Sequence, residues 1–169
     1  PSYMEATQGE NASEYGAAMI KEIKQLIKQS TWEVVLRSKV PLTKEGKRRT
    51  ILPSTWAFRL KRLPDGTPLK FKARFCVRGD RQTTGVDYFE TYAPVVNWMS
   101  VRMMLTFAEI QNLHTRSVDF TLAFPQANVK VDIFMELPIG CSMDQGAKGE
   151  YVLKLIKNLY GLRDASRTW

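Results

Sequence analysis

The chain has 169 residues, 44% hydrophobic and 25% charged, which suits one ordinary globular domain or two small ones. Lys and Arg number 25 against 17 Asp and Glu, and the formal net charge of +8 points to a polyanionic partner, nucleic acid before membrane. With no run of about 18 apolar residues and no short apolar region near the N-terminus, the composition argues against a membrane-bound or secreted protein and leads us to expect a soluble, intracellular one.

Residues 1–12 read as a linker or frayed end, since Pro1 to Glu10 carry no period. Asn11-Ala12-Ser13-Glu14 has capping-box spacing, and Tyr15, Met19, Ile23, Leu26 and Ile27 then recur at helical intervals. Lys21, Lys24 and Lys28 fall on the opposite, solvated face. Trp32 to Leu36 is expected as a strand, and Lys44 to Arg49 as a basic loop.

Two runs of period two follow, joined by the turn signal Pro64-Asp65-Gly66. In the first, Trp56, Phe58 and Leu60 share one side, with Arg59 and Lys61 on the other. In the second, Leu69, Phe71, Ala73, Phe75 and Val77 oppose Lys70, Lys72, Arg74 and Arg78. The pattern predicts a β-hairpin with one apolar and one cationic face. Like charges side by side repel, and the cationic set contains no acid. Either the face is simply solvated, or an outside anion such as phosphate compensates it.

Gly79 and Gly85 mark a turn-rich connection through Arg81 and Gln82, and Asp87 to Val96 reads as extended and irregular. Ser100 to Gln111 is expected as a helix burying Val101, Met104, Leu105 and Ala108, with Met99, Met103 and Met104 as adaptable core filler. Thr115 to Phe120 reads as a short strand carrying Asp119 between Val118 and Phe120. Asp119 either caps the following turn or presents oxygens to a hard cation such as Mg²⁺, which usually draws on more than one carboxylate.

Ile133 to Leu137 is a further short strand, Cys141 to Gly149 a polar loop, and Tyr151 to Leu155 a strand. Leu159-Tyr160-Gly161-Leu162 leads into a helix opening at Asp164. A helix just begun cannot bury its apolar face, so the chain is expected to be a fragment. Cys76 and Cys141 have no zinc spacing and are expected as reduced core thiols. His114, the one histidine, is expected to be structural, with no nucleophile elbow nearby. The predicted fold class is α+β.

Five segments in this order resemble the reverse transcriptase of copia-type long-terminal-repeat retrotransposons, from about Tyr15 to Trp169. They are Thr31 to Val35 (TWEVV), Lys72 to Gln82 (KARFCVRGDRQ), Asp87 to Val96 (DYFETYAPVV), Val118 to Phe124 (VDFTLAF) and Leu159 to Trp169 (LYGLRDASRTW). The resemblance implies part of a polymerase right hand within a Pol polyprotein, with fingers over about 13–98 and the start of the palm over about 99–169.

It also implies site roles. Asp119 would be the first catalytic carboxylate, binding two Mg²⁺ ions together with an Asp pair on a later Tyr-x-Asp-Asp hairpin, and Phe120 would place its backbone at the same metal and triphosphate site. Phe124 would lie under the sugar and exclude a 2′-hydroxyl. Arg74, with Lys72 or Lys61, would hold the triphosphate. Tyr160, Gly161 and Arg163 would belong to the element packed against the nascent base pair. Arg59, Lys70, Arg78, Arg81, Gln82 and Arg163 would contact nucleic acid. Implied partners are an RNA template, a DNA primer, deoxynucleoside triphosphates and the remainder of the polyprotein, in a cytoplasmic virus-like particle with nuclear passage.

Three departures stand out. Pro125-Gln126-Ala127 replaces the family's usual Asn-Gly, Ser166 replaces a usual proline, and no Asp-Asp pair occurs in the 169 residues. The chain alone is therefore expected not to polymerise. The competing expectations are a non-catalytic nucleic-acid-binding module, using the hairpin charges with Trp56 or Phe71 for stacking, and a remnant without function.

Overall fold

A computed structural model describes residues 1–43, 46, 49–140 and 149–169. At the N-terminus Ser2 and Glu5 form a reciprocal capping box. The Ser2 N–H donates to Glu5 Oε2 at 2.8 Å, and the Glu5 N–H donates to Ser2 Oγ at 3.3 Å. Helix α1 (Tyr3–Gln8) follows and buries Ala6. The stretch expected to be a linker or frayed end thus holds a helix. It is too short to display a period, and its cap is the only local signal it carries.

Helix α2 (Ala12–Lys28) buries Tyr15, Met19, Ile23 and Leu26 and exposes Lys21, Lys24 and Lys28, as the periodicity requires. Ile27 departs from this pattern and is exposed. Asn11 is the N-cap residue but makes no side-chain cap, and Ser13 Oγ donates instead to the adjacent Glu14 carboxylate, so the expected capping box does not form. Buried Thr31 ends the helix, its Oγ1 donating to the Leu26 carbonyl at 2.8 Å. The Thr31 carbonyl then accepts from the N–H groups of Ile156 and Lys157, linking helix to sheet.

The main sheet is built from β1 (Trp32–Leu36), β2 (Ile51–Leu52), β5 (Phe134–Met135) and β6 (Tyr151–Leu155), in the order β1-β6-β5-β2. β6 pairs antiparallel with both β1 and β5, and β2 runs parallel to β5. β5 is shorter than the expected Ile133–Leu137. Beyond it the carbonyls of Leu137 and Ile139 accept from Ser54 Oγ and Trp56 Nε1, tying this segment to the hairpin.

That hairpin is β3 (Ser54–Arg62) with β4 (Pro68–Val77), antiparallel, with Trp56 opposite Phe75, Phe58 opposite Ala73 and Leu60 opposite Phe71. Gly66 supplies the turn's left-handed residue at φ +88°, and Asp65 Oδ1 accepts from the Thr67 N–H. α2 covers the apolar face. Tyr15 meets Phe58 and Phe71 edge-on at 5.3 and 5.0 Å, and fully buried Phe75 contacts Trp32 and Trp56. Leu26, Leu52, Met135, Leu153, Leu155 and Leu159 complete the core.

Two expectations are corrected in the middle of the chain. Helix α3 (Trp98–Ile110) begins at Asn97, whose Oδ1 accepts from the Met99 N–H, but of its expected core face Ala108 alone is buried. Met104 is 66% exposed, and Met99, Met103 and Leu105 are exposed with it. The methionines are not core filler here, because no described element covers this face. Thr115 to Phe120 is not a strand but exposed, irregular chain. A strand needs a neighbour for its backbone groups, and none of the described strands pairs with it. His114 lies in the same exposed stretch.

The fold is mixed α+β with small sheets. α4 (Ala165–Thr168) opens after Asp164 as expected. Cys76 is free and half-buried. Lys44, Lys47 and Arg48 of the expected basic loop, and residues 141–148 of the expected polar loop, including the Cys141 thiol, lie outside the described residues. No described helix is long and apolar enough to cross a membrane.

Candidate functional site

Strand pairing fixes which charges share a face. Arg59 lies opposite Lys72 and Lys61 opposite Lys70, with Arg74 opposite Ala57 two pairs further along and so on the same face. Residues directly opposite in an antiparallel pair share a face, so the cationic strip is real, and each like-charge pair costs roughly a few tenths of a kcal/mol. The Lys72 ammonium titrates below its usual range, first through burial and then through Lys61, Arg74 and Lys70, with Asp119 acting in the opposite direction.

Arg78 departs from the expected acid-free set. It lies beyond the end of β4 and forms a two-pronged pair with Asp80, Nε and Nη2 each 2.8 Å from a carboxylate oxygen. That hydrogen-bonded pair holds the Asp80 carboxyl down at about 2, and Arg81 Nε lies 3.8 Å from the same group. Arg78 therefore carries its own counter-charge, and Arg81 stands near the same carboxylate.

Beside the strip is a cavity of about 370 Å³. One wall is β4, through Lys70, Lys72 and Arg74, and α2 contributes Glu22. Tyr160 lines it beside the free edge of β4, and the segment Asp119 to Leu122 completes the lining. Asp119, Phe120, Lys70, Lys72, Arg74 and Tyr160, singled out from distant parts of the sequence, thus meet at one place. Arg59 and Lys61 lie on the same hairpin face without lining the cavity. Phe124, in a single 3₁₀ turn (Phe124–Gln126), touches Tyr160 edge-on at 5.3 Å and packs against the core, so it borders the site from behind. The Arg74 guanidinium lies over the same tyrosine ring, 4.8 Å from its centroid.

Glycine fixes how Tyr160 is presented. The Val77 N–H donates to the Tyr160 carbonyl at 2.8 Å, extending the free edge of β4. Gly161 follows at φ +93°, where a Cβ would stand 2.1 Å from the Val77 carbonyl oxygen. The close approach that Gly161 allows is to this backbone. Gly79 is packed as tightly against the Gly161 carbonyl.

Gln82 departs from its expected contact with nucleic acid. It is buried, and its amide oxygen accepts from the Arg163 N–H at 2.8 Å while its Nε2 donates to the Asp87 carbonyl. Arg163 Nε in turn donates to the Gly79 carbonyl at 2.9 Å, and its guanidinium lies over Tyr88. Together these brace the loop after β4 against the Tyr160 segment. Trp56 and Phe71 do not form an exposed stacking platform. Trp56 is buried and bonded to Ile139, and Phe71 packs on Tyr15.

Two site-shaping residues escape a reading of the sequence. Asn158 is fully buried, and its Nδ2 donates to the Ala127 carbonyl and to Thr168 Oγ1. It joins the Phe124 turn to α4, and an isolated Asn offers no pattern to find. Glu22 is buried at a helical position shared with Met19 and Leu26, and a carboxylate in an apolar stripe is the signal that could have found it.

Asp119 and the Phe120 carbonyl are oxygen donors of the kind Mg²⁺ takes. Among the described residues no group of three or more His, Cys, Asp or Glu could hold a metal ion, so these donors do not make a metal centre by themselves.

Comparison with known proteins agrees with the family resemblance. The family described as reverse transcriptase (RNA-dependent DNA polymerase) matches residues 30–169. The chain is 36% identical over 152 residues to a retrovirus-related Pol polyprotein from transposon TNT 1-94 of Nicotiana tabacum, covering 90% of this chain and 11% of that protein. It is 35% identical over 152 residues to the Pol polyprotein from transposon RE1 of Arabidopsis thaliana, covering 90% of this chain and 10% of that protein. Against the transposon Ty1-BL Gag-Pol polyprotein of Saccharomyces cerevisiae the identity is 29% over 155 residues, 92% of this chain and 8% of that protein. The chain thus spans about a tenth of the length of these relatives. No solved structure matches it. The chain belongs to the reverse transcriptase (RNA-dependent DNA polymerase) family, in the form carried by the Pol polyproteins of copia-type transposons.

Proposed function

We propose that this chain is the fingers, over about residues 13–98, and the first part of the palm, over about 99–169, of an RNA-directed DNA polymerase with a right-hand fold. The observation that carries the reading is the shared cavity, where Asp119 and Phe120 face Lys72, Arg74 and Tyr160. Cations on a rigid strand opposite a carboxylate suit a bound polyphosphate, with the negative charge held on one side and the reacting end on the other.

In this reading Arg74 and Lys72 hold the triphosphate of an incoming deoxynucleotide, with Lys61 further out on the same face. Phe124 sits beneath the sugar, Tyr160 braces Arg74, and Arg59 and Lys70 run toward template or primer. Asp119 is one of the carboxylates of a two-Mg²⁺ centre in a longer Pol chain, where the ions would neutralise phosphate charge. These 169 residues, which contain no Asp-Asp pair, do not polymerise alone. Template RNA, DNA primer, deoxynucleoside triphosphates and the rest of Pol are the partners, in an intracellular particle.

The test is equilibrium binding of a deoxynucleoside triphosphate, and separately of an RNA–DNA primer–template, to the chain and its variants. Arg74→Ala and Lys72→Ala should each weaken triphosphate binding about tenfold, the scale of one lost charge-assisted hydrogen bond, with a smaller effect on primer–template. The reverse pattern would mean that the strip follows the nucleic-acid backbone and that the cavity is not a nucleotide site.

A further inference from the structure

Glu22 is 8% exposed, and its Oε1 is buried with no hydrogen-bond partner. Burial pushes its carboxyl above the usual range, while the Phe75 N–H and the charges of Arg74 and Lys72 pull it back. A buried carboxylate is costly unless something nearby uses its charge. The charged and titratable groups around it are Lys70, Lys72, Arg74 and Cys76 on β4, Tyr160, Lys21 beside it on α2, and Asp119 across the cavity. Glutamine would fill the same space at lower electrostatic cost.

Because Glu22 is buried, its charge is less screened by water than one on the open surface. In the empty site a Glu22 carboxylate offsets the mutual repulsion of Lys72 and Arg74 and draws them toward the cavity. When a polyanion enters, the same carboxylate opposes it. We propose that Glu22 is a positioning residue of this anion site, an internal counter-charge that orients Arg74 and Lys72 and limits how tightly a polyphosphate is held. The proposal rests on reading the cavity as the triphosphate site.

Inorganic tripolyphosphate, without metal, is the probe, titrated calorimetrically into the chain, Glu22→Gln, Glu22→Asp and Arg74→Ala. At pH about 8, Glu22→Gln should bind about tenfold more tightly than wild type, the effect of removing one unit charge several ångströms away at intermediate dielectric. The gap should close as pH falls, because wild type then takes up the proton that glutamine mimics. Glu22→Asp, which keeps the charge, should remain on the wild-type side of that gap. Equal affinities at pH about 8, or a gap that ignores pH, would overturn the proposal.

A measurement on the unmodified chain covers the case in which Glu22→Gln does not fold. Sulfate does not titrate across this range, so its binding should strengthen as pH falls, and pH-independent sulfate binding would overturn the proposal. Tripolyphosphate binding that is absent, or indifferent to Arg74→Ala, would instead sink the triphosphate reading and the Glu22 proposal with it. Binding that needs Arg74 yet is the same in wild type and in Glu22→Gln at every pH would remove the Glu22 proposal alone.

Discussion

The Arg74 guanidinium lies over the ring of Tyr160, 4.8 Å from its centroid, so the arginine's direction depends on an aromatic ring from a different segment of the chain. The ring is itself held by the Val77-to-Tyr160 backbone hydrogen bond and by Phe124 at its edge. Tyr160→Phe keeps the π-face and should leave Arg74 where it is. Tyr160→Leu removes it, and a double-mutant cycle with Arg74→Ala should give a coupling of about 1 kcal/mol in unfolding free energy. Zero coupling would show that the contact contributes nothing to Arg74's placement.

Gly161 should tolerate no side chain. At φ +93° any other residue is strained, and its Cβ would meet the Val77 carbonyl oxygen at 2.1 Å. Gly85, at φ +80° with open space around it, is the control for backbone strain alone. Urea unfolding should show Gly85→Ala losing about 1 kcal/mol and Gly161→Ala clearly more, on the order of 3 kcal/mol. Equal losses would mean that the loop after Leu159 relaxes away from β4 at little cost.

The parts of the fold legible in the sequence are those whose signal is local. Alternation from Trp56 to Val77 specifies the hairpin and both of its faces, except that Leu69, at the irregularity beside Arg62, is exposed rather than on the apolar face; the Tyr15–Leu26 stripe specifies α2. The Asp119 stretch resembles a strand in sequence because alternation and a flanking Phe describe a strand's side chains, whereas a strand exists through the neighbour that satisfies its backbone. α3 misleads similarly: Met104 and Leu105 have a core residue's spacing, but spacing does not supply the surface that covers them. At the site, the cations are readable from pattern and Asp119 from resemblance. The roles of Gln82, Asn158 and Glu22 depend on what packs beside them, and only the tertiary structure shows it.

Cys76 should be an unusually slow nucleophile. Burial, reinforced by the nearby Glu22 charge, pushes its thiol up to about 11. Since the thiolate is the reactive form, little of it exists near neutral pH. Peptide-level mass spectrometry after iodoacetamide treatment should show Cys76 labelling lagging an unfolded control at pH about 8, with the rate still climbing well past the ordinary thiol range near 8.5. The linkage has a definite sign. A folded-state value above the unfolded one contributes stability that is complete below the unfolded pKa and is lost as pH rises toward about 11. Labelling that levels off near pH 8.5 would mean that the thiol is open to water.

The exposed face of α3 should govern how the chain behaves at high concentration. Met99, Met103, Phe107 and Ile110 follow one another at helical spacing, all exposed, with Trp98 beside them at 75%. Scattered apolar residues on a surface are ordinary, but a continuous stripe along a three-turn helix is a site for association. Sedimentation velocity should show the chain self-associating as concentration rises, and a dye specific for apolar surface should bind it. Met103→Lys together with Phe107→Lys should reduce both effects while leaving the melting temperature nearly unchanged, because neither side chain contributes to the core. A sharp fall in stability would instead show that these residues are packed in solution, and that something covers the helix.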